Sequence, residues 1–230
     1  MKKIIRNIRS IQNLFASKMG KVKGLIPLLL LLSVPSFAQQ NNNTIVKKSD
    51  LKTHTLDTAT FAAGCFWCVE AQFQELKGVI KVTSGFTGGT VANPSYKQVC
   101  TGTTGHAEAC NIIYDPSKID YKELLAAFFV THDPTQLNKQ GNDVGTQYRS
   151  AIFYHNDAQK KEALYYISKL DEAKAYPNKI VTEVSPFKTF YSAEKYHQDY
   201  YNNNKNQPYC QFVIKPKLDK FNEVFKNKIK

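Results

Sequence analysis

Cys65 and Cys68, separated by Phe66 and Trp67, put two thiols one helical turn apart, a spacing suited to reversible disulfide chemistry. The apolar residues Phe66, Val69, Phe73 and Leu76 recur at helical spacing, and Thr58–Ala63 reads as a strand running into Gly64. Cys65 then heads a helix, where the dipole and unpaired backbone N–H groups favour the thiolate, a minority species at an unperturbed pKa of ~8.5. The same pair also suits a buried structural thiol, a static disulfide or a zinc ligand set. Zinc needs a second such pair at finger spacing, and Cys100, Cys110 and Cys210 are scattered singly.

The elements that must position these thiols follow from periodicity and punctuation. After the Cys65 helix, a strand is expected near Val79–Thr83, a turn at Gly85–Gly89 and a strand at Ala109–Tyr114. Asp120 and Glu123 form a capping box opening a helix with Leu124, Leu125 and Phe128 on one face, which stops around Thr131–Pro134. Ser150–Tyr154 alternates as a strand. Asp157 caps a helix with Leu164, Ile167 and Leu170 inward, Ile180–Val184 is a further strand, and Pro216 starts a last helix packed through Leu218, Phe221 and Phe225. Mixed helices and antiparallel strands without a composition break after residue 58 predict a single-domain α+β sandwich.

Three further segments sharpen the chemistry. Gly64-Cys65-Phe66-Trp67 with Glu70, then Gly102–Ala109 containing His106 and Glu108, then Gly141–Ser150 containing Asp143 and Tyr148 occur in that order. Together with Ala193–Gln198 and Gln207-Pro208-Tyr209-Cys210, they resemble the peptide methionine sulfoxide reductases of type A, from about Thr58 to the C-terminus. The resemblance implies a ferredoxin-like core and reduction of the S epimer of methionine sulfoxide, free or in proteins. It implies Cys65 as the nucleophile on sulfur, Glu108 as the protonated donor to the oxygen, Tyr96 and Tyr148 as hydrogen-bond donors to that oxygen, and Asp143 as an orienting group acting through water. Phe66 and Trp67 would wall the S-methyl group. No metal and no bound cofactor are implied; electrons come from a thioredoxin-like dithiol.

Each residue also has a structural reading. Phe66 and Trp67 are core aromatics by default, Glu108 suits an exposed strand position, and Tyr96 and Tyr148 are two of thirteen tyrosines. His106 and His197 read as structural hydrogen-bonding histidines, and Glu70 as a cap of its own helix. A sulfenic acid at Cys65 has two resolving candidates: Cys68, placed first, and Cys210. Cys210 precedes Gln211-Phe212-Val213-Ile214 where the longer recycling pattern has a glycine-rich coil with another cysteine. Cys100 and Cys110 read as buried strand thiols. The competing enzyme is a thioredoxin-like thiol-disulfide oxidoreductase using Cys65 and Cys68, against which Trp67 lies between the cysteines and Glu108, Asp143 and Tyr148 have no role. A nonenzymatic binding module is the third reading, with turnover and its loss on replacing Cys65 as the discriminator.

Residues 1–38 have a different character. Seven Lys or Arg residues precede or flank an apolar run, Leu25–Val34, followed by Ser36-Phe37-Ala38, the pattern of a secretory signal peptide cleaved after Ala38. That run is about half the ~20 residues needed to span a bilayer, so no stable membrane insertion is expected after cleavage. Met19 offers an alternative start with ordinary signal proportions. Residues 39–57 are polar and Asn-rich, a flexible tether, and 58–230 form the catalytic domain. The seven leader cations, with no acidic residue among them, leave +5 of the chain's +12 for the remainder. Its lysines lack the aromatic interleaving of a nucleic-acid platform, which argues against nucleic acid as partner. Met1 and Met19 are the only methionines, so the domain itself carries no thioether to oxidise. A periplasmic or secreted monomer is expected.

Overall fold

The computed structural model describes residues 55–230; the leader reading and nearly all of the tether lie outside them. The sheet is built from β1 (Asp57–Ala63), β2 (Val79–Thr87), β3 (Ala107–Tyr114), β6 (Ser150–Tyr154), β7 (Glu183–Pro186) and β8 (Phe190–Ser192), in the order β7-β6-β1-β3-β2-β8. A small hairpin, β4 (Lys139–Gln140) and β5 (Asp143–Val144), stands apart from it. The helices are α1 (Phe66–Gln74), α2 (Tyr96–Cys100), α3 (Tyr121–Thr131), α4 (Asp157–Glu172), α5 (Tyr200–Asn203) and α6 (Lys215–Phe225). The run β1-α1-β2-β3-α3-β6 with central order β6-β1-β3-β2 is the antiparallel ferredoxin-like core. β8 extends it antiparallel at one edge, while β7 joins β6 in parallel at the other.

Phe61 explains where the helices sit. It projects from central β1 and meets Phe73 of α1 at 5.8 Å and Phe128 of α3 at 5.1 Å, so both helices cover the same face. The alternation that points Phe61 one way points Ala62 the other, onto a smaller cluster with Ala107, Ala109, Ala151 and Phe153 under Phe187 and Phe190. α6 closes the helical layer through Phe221, whose ring lies 6.4 Å from Phe73. The Asp120 capping box forms with both reciprocal bonds.

Several local expectations are corrected. The turn expected at Gly85–Gly89 starts only at Gly88, because Gly85–Thr87 pair with β8; a Cβ on Gly85 would sit 2.3 Å from the Tyr191 carbonyl oxygen, so close strand approach needs the glycine there. Asn156, not Asp157, caps α4, its Oδ1 accepting from the Gln159 N–H. On α4, Leu170 is buried and Ile167 packs against the core as expected, with Ala163 and Tyr166 buried beside them, but Leu164 is exposed. The ladder expected at Ile180–Val184 begins at Glu183, since Ile180 is spent in the core and the Val181 N–H bonds to Pro134 outside the sheet. Asp57, assigned to the tether, opens β1 and accepts a hydrogen bond from Tyr114 Oη.

Candidate active site

β1 delivers the chain to the site through Gly64, whose φ of +86° no other residue adopts cheaply and whose missing Cβ leaves room for Gln140 of the β4–β5 hairpin. Cys65 follows as the N-cap of α1, its carbonyl accepting from the Cys68 and Val69 N–H groups. Its thiol, 7% exposed, belongs to a cluster with Cys68, Ala71, Cys210 and Ile214, flanked by Trp67, Tyr200 and Tyr209. Both resolving candidates therefore lie with Cys65, and all the cysteines are free thiols. The thiols of Cys65 and Cys68 are hydrogen-bonded to each other, whereas Cys210 senses Cys65 through its charge.

The expected thiolate at Cys65 is corrected by burial. Desolvation, then the hydrogen bond and charge of Cys68, push the Cys65 thiol up, outweighing the bonds from Tyr209 Oη and the Trp67 N–H. Cys68 moves the other way: the bond from Cys65 lowers it, and the nearby Lys217 ammonium adds to that against its own burial and the Asp143 carboxylate. The hydrogen-bonded pair thus places a proton acceptor, Cys68, beside the Cys65 thiol.

Glu108 reaches the same place from β3. Its carboxyl is 1% exposed and Oε2 accepts from the Phe66 N–H at 3.0 Å. Desolvation and the charge of Cys65 raise its pKa well above the ordinary carboxylate range, more than the Phe66 bond lowers it, which favours the protonated form. This overturns the reading of an exposed strand residue. Half-buried Tyr96 and Tyr148 stand around it, each hydroxyl held up first by desolvation and then by the Glu108 charge. The Tyr96 ring stacks on Phe66 at 6.1 Å. Asp143, on the hairpin, lies 3.4 Å from Tyr209 Oη.

The aromatic wall depends on residues far along the chain. The Trp67 indole stacks on Tyr200 at 3.8 Å and 9°, meets Tyr209 edge-on, and donates its N–H to His197 Nδ1 at 3.2 Å. His106 holds the Gly88-Gly89 turn through Gly89 N–H and the Val91 carbonyl, so both histidines make hydrogen bonds that fix local structure. Sequence reasoning gave Tyr200, Tyr209 and Lys217 no role; Tyr209 beside Cys210 was the one local signal.

Two more readings, those of Glu70 and Cys100, are corrected. Glu70 does not cap its own helix: it is buried and accepts from the backbone N–H groups of Asp199 and Tyr200 at the head of α5 and from Ser84. Cys100 is an exposed thiol ending helix α2, where Tyr96 Oη bonds it, not a buried strand thiol; Cys110 is buried in β3, its S–H donating to the Phe66 carbonyl. Burial raises the Glu70 carboxyl to about 7. A carboxyl raised in the folded state keeps its proton where the unfolded chain has lost it, so its stabilising balance falls between pH ~4.5 and ~7, by on the order of 3 kcal/mol. Glu70→Gln is expected to flatten the fall in Tm from pH 5 to pH 8; an unchanged slope in thermal melts would contradict this.

Residues 57–229 match the family model described as peptide methionine sulfoxide reductase. The chain belongs to the peptide methionine sulfoxide reductase family. This reductase is an oxidoreductase acting on methionine sulfoxide, and its relatives span the same domain. It is 53% identical over 175 residues to the peptide methionine sulfoxide reductase MsrA of Saccharolobus solfataricus, covering 76% of this chain and 98% of that one. It is 55% identical over 174 residues to MsrA 1 of Rhodopirellula baltica, covering 76% and 90%. Among solved structures it is similar to reduced Mxr1 of Saccharomyces cerevisiae (TM-score 0.62, 36% identity, 68% of this chain and 90% of that one). Methionine sulfoxide reductase A of Corynebacterium diphtheriae is a second (TM-score 0.60, 36% identity, 66% and 76%).

Proposed function

We propose that this reductase acts on the S epimer of methionine sulfoxide, both in proteins and as the free amino acid. Cys65, once its proton has passed to Cys68, attacks the sulfoxide sulfur while Glu108 gives its proton to the oxygen. The oxygen passes to Cys65 as a sulfenic acid and methionine leaves reduced. Tyr96 and Tyr148 donate hydrogen bonds to that oxygen, Asp143 orients the site through water, and Phe66 and Trp67 wall the S-methyl group. Cys68, or Cys210, then attacks the sulfenic sulfur; the S–S bond forms, and hydroxide departs and is protonated to water. A thioredoxin-like dithiol reduces the disulfide.

The observation that carries the reading is a buried Glu108 fixed on the backbone N–H of Phe66, beside Cys65, where burial pushes its carboxyl toward the protonated form. A disulfide exchanger needs no such acid. The test is turnover of separated S and R epimers of a methionine sulfoxide peptide, and of free methionine sulfoxide, with dithiothreitol as reductant. Reduction of S alone in both forms is expected; turnover of neither epimer by folded protein would move thiol-disulfide exchange to the front.

The signal-like residues 1–38 support export, so the enzyme works in the periplasm or outside the cell, as a monomer, fed by a thioredoxin-like dithiol of that compartment. N-terminal sequencing of the protein from a periplasmic fraction tests this: a chain starting at Gln39 is expected, and an uncleaved cytosolic chain overturns it.

A further inference from the structure

We propose that Lys217 is the charge that keeps Cys68 nucleophilic for closing the Cys65–Cys68 disulfide, and so makes Cys68, ahead of Cys210, the resolving thiol of this chain. The inference rests on the sulfenic acid scheme and deepens it. Lys217 lies on the first turn of α6 and its Nζ donates to Cys68 Sγ at 3.7 Å. Its neighbour Lys215 pairs instead with Asp219 at 2.6 Å. The Lys217 backbone is fixed separately, its carbonyl accepting from Gln72 Nε2 of α1 at 3.2 Å, so α1 and α6 are tied together one side chain away from the thiol.

The geometry around Cys68 makes the cation necessary at one particular stage. Cys68 is 3% exposed, and the groups facing it are the Cys65 thiol on α1, the Asp143 carboxylate on β5, the Tyr209 hydroxyl before α6 and the Lys217 ammonium. In the reduced enzyme the Cys65 S–H supports the Cys68 charge by hydrogen bonding. Once Cys65 has become a sulfenic acid that S–H is gone, while burial and Asp143 still oppose ionisation. Lys217 is then the remaining positive charge in contact with the attacking sulfur. The step balances as Cys68–S⁻ plus Cys65–S–OH plus a proton giving Cys65–S–S–Cys68 and water. The two electrons that the thiol pair gives up are those that reduced the sulfoxide. Cys210, also fully buried, has only desolvation and the Cys65 charge acting on it, both of which disfavour its thiolate.

The test uses a single turnover of the full-length enzyme with an S-sulfoxide peptide and no reductant, following released methionine peptide, loss of free thiols and the cysteines joined, by alkylation and mass spectrometry from pH 5.5 to 9. In Lys217→Met, disulfide formation is expected to slow about tenfold relative to methionine release at pH 7, with the midpoint of its pH profile shifted upward by about one unit; Lys217→Arg restores both. A Met variant with the parental pH midpoint overturns the proposal, as does an equal loss in the Met and Arg variants at unchanged Tm. Cys68→Ser separates the two levels: if a Cys65–Cys210 disulfide still closes at the parental rate, Cys68 as resolver is wrong. If Cys68→Ser abolishes closure but Lys217→Met does not shift it, only the role of Lys217 falls.

Discussion

Cys65→Ser is expected to bring sulfoxide turnover down to background, a loss on the order of 10⁵–10⁶-fold, the scale on which removal of a nucleophile acts. Serine is a favoured N-cap residue, and Cys65 occupies the N-cap of α1 without a side-chain cap bond, so the variant should fold with an unchanged or slightly higher Tm. The lost activity is then chemical: a hydroxyl cannot take the sulfoxide oxygen and hold it as a sulfenic acid. Cys68→Ser is the contrasting control. It should still release one methionine per enzyme and stop, with the sulfenic acid trappable at Cys65. Measurable steady-state turnover by purified Cys65→Ser would remove Cys65 from the mechanism.

Glu108→Gln is expected to lower the rate of methionine release by about 10²–10⁴, the usual contribution of a positioned general acid. The amide retains an oxygen to accept from the Phe66 N–H, so the head of α1 stays in place and the loss reports the missing proton. The pH dependence gives the sign. Burial raises the carboxyl, so the parental rate is sustained below that raised pKa and falls as pH climbs through it; the Gln variant should lack that alkaline limb. A variant that keeps both the parental rate and the parental limb would take the proton donor away from Glu108.

The parts of this protein legible in its sequence are those written in local spacing. Val69 and Phe73 repeat every turn of α1, Asp120 and Glu123 box the start of α3, and three short motifs hold Cys65, Glu108 and Asp143 in the family's order. What was not legible depends on contacts made across long stretches of chain. Nothing near Gly85 announces β8, which arrives more than a hundred residues later, and nothing at Glu70 announces that Asp199 and Tyr200 will need an acceptor. The apolar pattern of α4 does not tell that Leu164 stays exposed while Tyr166 turns inward to stack on Phe129. A helix-head cysteine looks activated from sequence because the dipole is local; the desolvation that reverses this is supplied by distant residues.

That asymmetry bears on the order in which the enzyme becomes competent during synthesis. The nucleophile, the acid and one wall of the pocket are all translated by Tyr148, yet His197, Tyr200, Tyr209 and Lys217, which fix Trp67 and cover the thiol pair, emerge in the final stretch of chain. A nascent chain of about 190 residues would hold the ferredoxin-like core with its two adjacent thiols uncovered, open to any oxidant or stray disulfide. Glu70 links the two halves of this timetable, since the last segment docks by handing α5's first N–H groups to a carboxyl already waiting on α1. Burial of the reactive sulfur therefore depends on the C-terminal segment, and its exposure to an alkylating reagent would report whether that segment has docked.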